Sequence, residues 1–387
     1  MTSNEKYIIE LSKASLFNTE PLLPPKDIDW QFIWDKSQEQ NITALIAVSV
    51  LKLPKDKHPN NANAWRSAII QTMSFMSQKN AEFERIITCF KENNITPLCL
   101  KGIVIKDLYP IPELRTMGDF DILVEKSQRK SAEAVFESRG YSLKRDTLFT
   151  EVDYKSVHGE LFTSLESEFK HNPEHWNSVL KQNVYKQNNR LLLTPSYELA
   201  FSIVHAAKHL TETGCGIRNL FDVVILLKSH SQKIDLNIVK EVCQSQGHEK
   251  IMYYMLTAAE HWYGAAINAN IKRTDLKLTE KFIEYLLCYG VFGHSAEGNV
   301  LSIQVTKREG NDVSAFRRIF FPPRKMIWQK YQYLKKSPLL LPVAWIHRFI
   351  NAVFINKYSV KSMIKGIDES ISFGNDRDKW LDDLDLK

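Results

Sequence analysis

Leu98-Cys-Leu-Lys-Gly102, followed by Arg115-Thr-Met-Gly-Asp-Phe-Asp-Ile-Leu-Val124, decides the reading of this chain. Asp119 and Asp121 occupy alternate positions of an apolar strand. Successive strand side chains point to opposite faces, so both carboxylates project from one face at the strand's start. Two acids placed there can share divalent metal ions, whereas hydrophobic burial gives no reason for them. Upstream, Thr96 to Leu100 reads as a short buried strand, Lys101-Gly102 as a tight turn, and Ile103 to Tyr109 as a short helix stopped by Pro110. A strand feeding a glycine turn and a helix N-terminus presents free backbone N–H groups, which suits phosphate. Lys101 and Arg115 add positive charge.

Leu100-Lys101-Gly102, Tyr109-Pro110, Arg115 and Asp119-Phe-Asp-Ile-Leu-Val124 together resemble the nucleotidyltransferase superfamily, and within it the uncharacterised bacterial branch called the nucleotidyltransferase family 5 group. The similarity continues through Gly140-Tyr141, Glu160-Leu161, His205-Ala-Ala-Lys-His209 and Gly214-Cys-Gly-Ile-Arg218 to Asp222, over roughly residues 45 to 350. Lys101-Gly102 departs from the Gly-Ser or Gly-Gly turn of better-known members, and Phe162 stands where the branch usually has His. The resemblance implies an α+β fold, a small mixed β-sheet with flanking helices followed by an α-helical domain. It also implies Mg²⁺- or Mn²⁺-dependent transfer of a nucleoside monophosphate from a nucleoside triphosphate to an acceptor hydroxyl, with pyrophosphate leaving. Asp119, Asp121 and Glu160 would be the catalytic, metal-holding acids, with Asp153 competing for the third place. Lys101, Gly102, Arg115, His205, Lys208, His209 and Arg218 would face the nucleotide. The acceptor, whether small molecule, glycan, protein or RNA, is left open. A scaffold that binds nucleotide without turnover and an RNA-modifying toxin are the competing readings.

Composition agrees with a globular enzyme. The chain has 387 residues, 44% of them hydrophobic, enough for sizeable cores. Five scattered cysteines with no Cys-x-x-Cys pair indicate neither a disulfide framework nor a zinc knuckle and fit a reducing, cytoplasmic setting. Met1 to Lys13 lacks the continuous apolar core of a signal peptide. From Leu301 onward there are 16 Lys and Arg against 9 Asp and Glu, so this tail alone carries +7 of the total +6 and residues 1–300 sit at −1. The catalytic part therefore shows no basic face for nucleic acid, and no DNA partner is indicated.

Flanking patterns organise the rest. Asp27 to Leu53 and Asn63 to Asn93 read as helices, the second with Ile69, Met73, Met76, Phe83, Ile87 and Phe90 at helical spacing, a packing stripe that covers the sheet. Ser127 is placed to cap a helix running through Ser138, with Gly140 just past its end. Tyr141 to Lys144 and Phe149 to Phe162 read as further strands. Thr194-Pro195 starts a helix to about Leu210 that puts His205 and His209 on one face; Ala206 stands where a zinc protease needs Glu, which disfavours that reading. Gly214-Cys-Gly-Ile-Arg-Asn219 follows a helix and lacks the third glycine of a dinucleotide fingerprint, so it reads as an interhelical turn with Arg218 able to pair with Asp222 one turn on. No Gly-x-x-x-x-Gly-Lys-Ser/Thr loop is present. Leu236 to Gln246, Ile251 to Tyr263 and Leu278 to Val291 read as amphipathic scaffold helices.

Phe316 to Arg324 and Tyr333 to Pro338 precede an apolar run, Leu339 to Phe354, interrupted by His347 and Arg348. It is shorter than the roughly 20 residues of a spanning helix. Leu339, Val343, Ile346, Ile350 and Phe354 form one stripe, expected to dock on the protein, with peripheral membrane contact through 316–356, at the inner membrane face, as the alternative. The expected organisation is a helical N-terminal region (1–93), a catalytic core (94–165), a helical domain (166–300) and a basic C-terminal region (301–387).

Overall fold

A computed structural model of the protein describes residues 1–146, 149–212, 214–288 and, beyond these, 321, 324–327, 333, 337–350, 379–384 and 386. The chain divides into two compact units, Met1–Gly293 and His294–Lys387. The first unit is built on one seven-stranded mixed sheet: β1 (Leu98–Leu100), β2 (Asp119–Leu123), β3 (Ser142–Arg145), β4 (Phe149–Tyr154), β5 (Val157–Phe162), β6 (Val184–Gln187) and β7 (Arg190–Leu193), in the order β3-β4-β5-β2-β1-β7-β6. The β2/β5 and β1/β7 pairs are parallel and the others antiparallel. This is the α+β, nucleotidyltransferase-like architecture expected from the sequence.

The sheet reaches further than the sequence reading does. β6 and β7 form a hairpin whose turn, Asn188-Asn189, has both residues in the left-handed region (φ 46° and 63°). Two-residue hairpins need that conformation and asparagine tolerates it. The hairpin adds two strands beside β1.

Helices cover the sheet and continue past it. α1 (Ser3–Phe17) starts at a capping box between Thr2 and Glu5. α2 (Trp30–Glu39) and α3 (Thr43–Lys52) are separated at Asn41, which has φ 53°. α4 (Ala62–Glu92) buries Met76, Phe83, Ile87 and Phe90 in the core, with Phe83 against Phe120 of β2 and Phe90 against Phe136 of the helix that follows β2; Ile69 and Met73 are only half-buried. α5 (Gly102–Ile105) is a single turn. α6 (Arg129–Ser138) begins after a 3₁₀ turn at Lys126–Gln128, so Gln128 takes the cap position and Ser127 does not cap; Gly140 follows with φ 82°. After α7 (Pro173–Gln182) come α8 (Pro195–Glu212), α9 (Arg218–Ser229), α10 (Leu236–Ser245), α11 (Glu249–Tyr263) and α12 (Leu276–Cys288). α9 and α11 are buried almost all round, which makes them the centre of this helical layer.

In the second unit, a helix at Leu341–Ile350 buries Ala344 with Ile327, packed by Tyr333, Leu341 and Trp345. Leu339, Val343 and Ile346 of the expected docking stripe are exposed. Ile350 and Phe354, the loop containing His294, and most of 316–356 lie outside the residues or side chains described. No helix among the described residues is long and apolar enough to cross a membrane.

Candidate active site

Register brings the acids together. β2 and β5 run parallel with Asp119 opposite His158 and Asp121 opposite Glu160. Residues directly opposite on neighbouring strands share a face, so Asp121 and Glu160 point the same way and Asp119, two positions back, joins them. Oxygens of Asp119, Asp121 and Glu160 all lie within 4.8 Å of one another. Asp153 sits one strand further out, pairs with the His158 ring at the exposed strand ends, and is not part of this cluster. Glu160 is therefore the third acid.

The acids face a cavity of about 250 Å³. Lys101, Gly102, Arg115, His205, Lys208, His209 and Arg218 all line it, so every nucleotide-facing residue implied by the resemblance converges on one space. Antiparallel β1 places Leu100 opposite Asp121, and the next residue, Lys101, turns out of the strand with φ 59°. Its Nζ donates to Asp121 Oδ1 at 3.1 Å and lies 5.6 Å from the Phe162 ring. Phe162 thus packs under the lysine. Burial and the clustering of negative charge raise the Asp121 and Glu160 carboxyls above the ordinary range, although Lys101 opposes this.

Arg115 is anchored. Its Nη2 and Nε donate to Asp222 Oδ2 and Oδ1 at 2.6 and 3.2 Å, and Tyr109 Oη donates to the same carboxylate at 2.8 Å. Gly102 admits this guanidinium: a Cβ there would lie 2.1 Å from Arg115 Nη1. Asp222 therefore partners Arg115 and not Arg218. The two-pronged buried pair outcompetes the helical spacing that suggested the other. Arg218 instead donates through Nη1 to the Thr116 carbonyl at 2.8 Å, and burial beside Arg115 pushes its pKa down to about 10, still a cation at neutral pH.

Three further groups at or beside the site were not read from the sequence. Glu168, 5% exposed, lies between Lys101 (3.6 Å), His205 Nδ1 (2.9 Å) and Lys208 (3.2 Å), and these partners hold its carboxyl well below the usual range despite burial. His205 in turn meets His209, Nε2 to Nε2, at 3.1 Å. Burial and Lys101 lower the His205 ring, and burial with His205 pushes His209 down to about 3. Both rings are neutral at physiological pH. Lys79 of α4 is the second group: its buried ammonium donates to the carbonyls of Met117 and Gly118, immediately before Asp119. Ser202 is the third. Ser202 and Arg218 line the cavity, and the buried Ser202 Oγ and Arg218 Nε have no hydrogen-bond partner among the described residues.

A hard divalent cation fits these residues. Mg²⁺ and Mn²⁺ prefer oxygen ligands, the acids supply only oxygen, and the crowding of negative charge that raises the Asp121 and Glu160 carboxyls is relieved by a positive ion.

The sequence profile of a family described as uncharacterised nucleotidyltransferase matches residues 26–264, more than half of the chain. The chain belongs to that family, and membership supports a general nucleotidyl-transfer activity. The comparisons with curated proteins and with solved structures give no match.

Proposed function

We propose that this cavity transfers a nucleoside monophosphate from a nucleoside triphosphate to an acceptor hydroxyl. The observation that carries the reading is the meeting of Asp119, Asp121 and Glu160 within 4.8 Å in a cavity that also holds Lys101, Lys208 and Arg218. Asp119, Asp121 and Glu160 would hold Mg²⁺ or Mn²⁺, which supplies charge neutralisation at the phosphates and the leaving pyrophosphate. Lys101, held between Asp121 and Glu168, is a fixed positive point for a phosphate oxygen. Arg218, which also lines the cavity, adds a second. The acceptor oxygen forms its bond to the α-phosphorus as the bond to the bridging oxygen breaks; pyrophosphate leaves with that electron pair. Glu160 either completes the metal set or, where Asp119 and Asp121 alone hold the ion, takes the hydroxyl proton on a carboxylate oxygen. Neutral His205 and His209, joined to each other and to Glu168, form a fixed polar wall beside the nucleotide. Protein groups here act mainly by positioning and fixed charge.

One observation favours a second reading. The Lys101 ammonium, 3.1 Å from Asp121, compensates that carboxylate in the way a metal would, as a nucleotide-binding scaffold without turnover requires. The test is incubation with each α-labelled nucleoside triphosphate, Mg²⁺ or Mn²⁺, and a cell extract then separated into protein, RNA and small molecules. Label retained in one fraction, with pyrophosphate released, supports transfer and gives the acceptor class, RNA included; nucleotide bound without either product supports the scaffold.

A further inference from the structure

A second cavity, of about 280 Å³, lies where the β6–β7 edge of the sheet meets the helices. α5 is the partition between the two spaces: Gly102 and Ile105 line the first, Ile103 and Val104 the second. Leu192 and Leu226 add apolar wall, and Tyr185, 41% exposed, lines the same space. Glu198 of α8 also lines it. This residue is 3% exposed, and neither of its carboxylate oxygens has a hydrogen-bond partner among the described residues.

The cationic and titratable neighbours do not satisfy it. Arg190 is committed to Glu84 at 2.8 Å and lies over the Phe83 ring. His230, lowered by burial and by Lys233, is a neutral ring at physiological pH. Asp107 is held by Lys106 at 2.6 Å and brings further negative charge. Burial pushes the Glu198 carboxyl up to about 8, with Asp222 adding to the effect. A buried carboxyl without a partner is costly, and a donor brought by a ligand removes that cost. An anion such as a nucleotide meets the negative charge of Asp107, whereas an ammonium stabilises the ionised form of Glu198 through a charge-assisted hydrogen bond and gains from an aromatic ring nearby.

We propose that this cavity is a second ligand site, independent of the acid cluster, that takes a small organic amine with its ammonium on Glu198 and its aliphatic body against Ile103, Val104, Leu192 and Leu226. The experiment is calorimetric titration of the full chain, with Mg²⁺ present, by cyclohexylammonium and by its uncharged counterpart cyclohexanol. Asp121→Asn, Glu198→Leu and Tyr185→Ala forms are titrated in the same way. Wild type and Asp121→Asn should show one saturable site of equal affinity. Glu198→Leu should bind the amine at least about tenfold more weakly, wild type should bind cyclohexanol at least about tenfold more weakly, and Tyr185→Ala should lose about threefold. Should Glu198→Leu fail to fold, Glu198→Gln keeps the volume, removes the charge and should show the same weakening. Absence of saturable binding, equal affinity in the Glu198 variant, equal affinity for cyclohexanol, or loss of binding in Asp121→Asn would each overturn the proposal.

Discussion

Asp121 and Glu168 are both buried carboxylates beside the same lysine, yet their acidities move in opposite directions. Asp121 stands among acids, and one ammonium does not offset burial plus two like charges. Glu168 stands among two lysines and a histidine that donates to it, and these partners overcome the same burial. The neighbours, and not the depth, set the outcome. The sheet wall of the cavity is left short of positive charge and calls for a cation, while the wall around Glu168 is already balanced and serves as a rigid frame.

The largest effect should come from the unbalanced wall. Asp119→Asn or Asp121→Asn should lower nucleotide transfer by about a thousandfold or more, since metal charge stabilisation is worth several kcal/mol. The same variants should abolish the rise in melting temperature on adding Mg²⁺ while keeping the native circular dichroism spectrum. A variant that still turns over at the normal rate would remove these acids from the mechanism.

The balanced wall should fail in stability as well as in activity. Glu168→Gln leaves Lys101, Lys208 and His205 without their shared acceptor and should cost about 3 kcal/mol in urea unfolding. Because the folded Glu168 carboxyl lies below its unfolded value, its contribution is present above the ordinary glutamate range and is lost as pH falls below that range. Wild type should therefore lose more stability than Glu168→Gln on acidification below about pH 4.5. Equal acid sensitivity would contradict the frame role.

Lys79 tests whether the acids depend on the backbone behind them. Lys79→Met retains most of the apolar stem but removes the donor to the Met117 and Gly118 carbonyls, at a cost of about 1–2 kcal/mol. Mg²⁺ affinity should weaken in that variant, and Lys79→Arg should restore part of it; unchanged affinity in both would make Lys79 a stability residue alone.

The smallest effect belongs to Glu198, another buried carboxyl, raised like Asp121 but with no hydrogen-bond partner among the described residues. Its folded pKa of about 8 lies above the unfolded value, so stability is highest below the ordinary glutamate range and falls as pH rises through 8. Glu198→Gln should flatten the decline in melting temperature between pH 5 and pH 8, by about 1–2 kcal/mol in stability terms. A decline identical to wild type would show that this group does not titrate in that window.

The unbalanced wall was legible in the sequence and the balanced one was not. Asp-Phe-Asp inside an apolar run can only alternate faces; Glu160 was implied by the family resemblance, with Asp153 competing, and the parallel register of β2 and β5 brings Glu160 to the pair. Glu168 sits in Ser164 to Lys170, a stretch with no helical or strand period, and becomes buried through Leu165 and Phe169. Nothing local marks it. Lys79 did leave a sign, since it shares a helical face with Met76 and Phe83, and a lysine on a buried stripe needs a partner. The β6–β7 hairpin was announced only by Asn188-Asn189. The Arg218–Asp222 pairing failed for a physical reason: a local spacing rule is worth a few tenths of a kcal/mol, and a buried two-pronged contact from Arg115 is worth more.

The most direct measurement is label transfer from α-labelled nucleoside triphosphate, with pyrophosphate counted, by wild type and by Asp121→Asn at equal folded concentration. The account predicts Mg²⁺- or Mn²⁺-dependent transfer with one pyrophosphate released per label incorporated in wild type, and none above background in the variant. Metal-independent transfer, or pyrophosphate release equal in the two proteins, would contradict it.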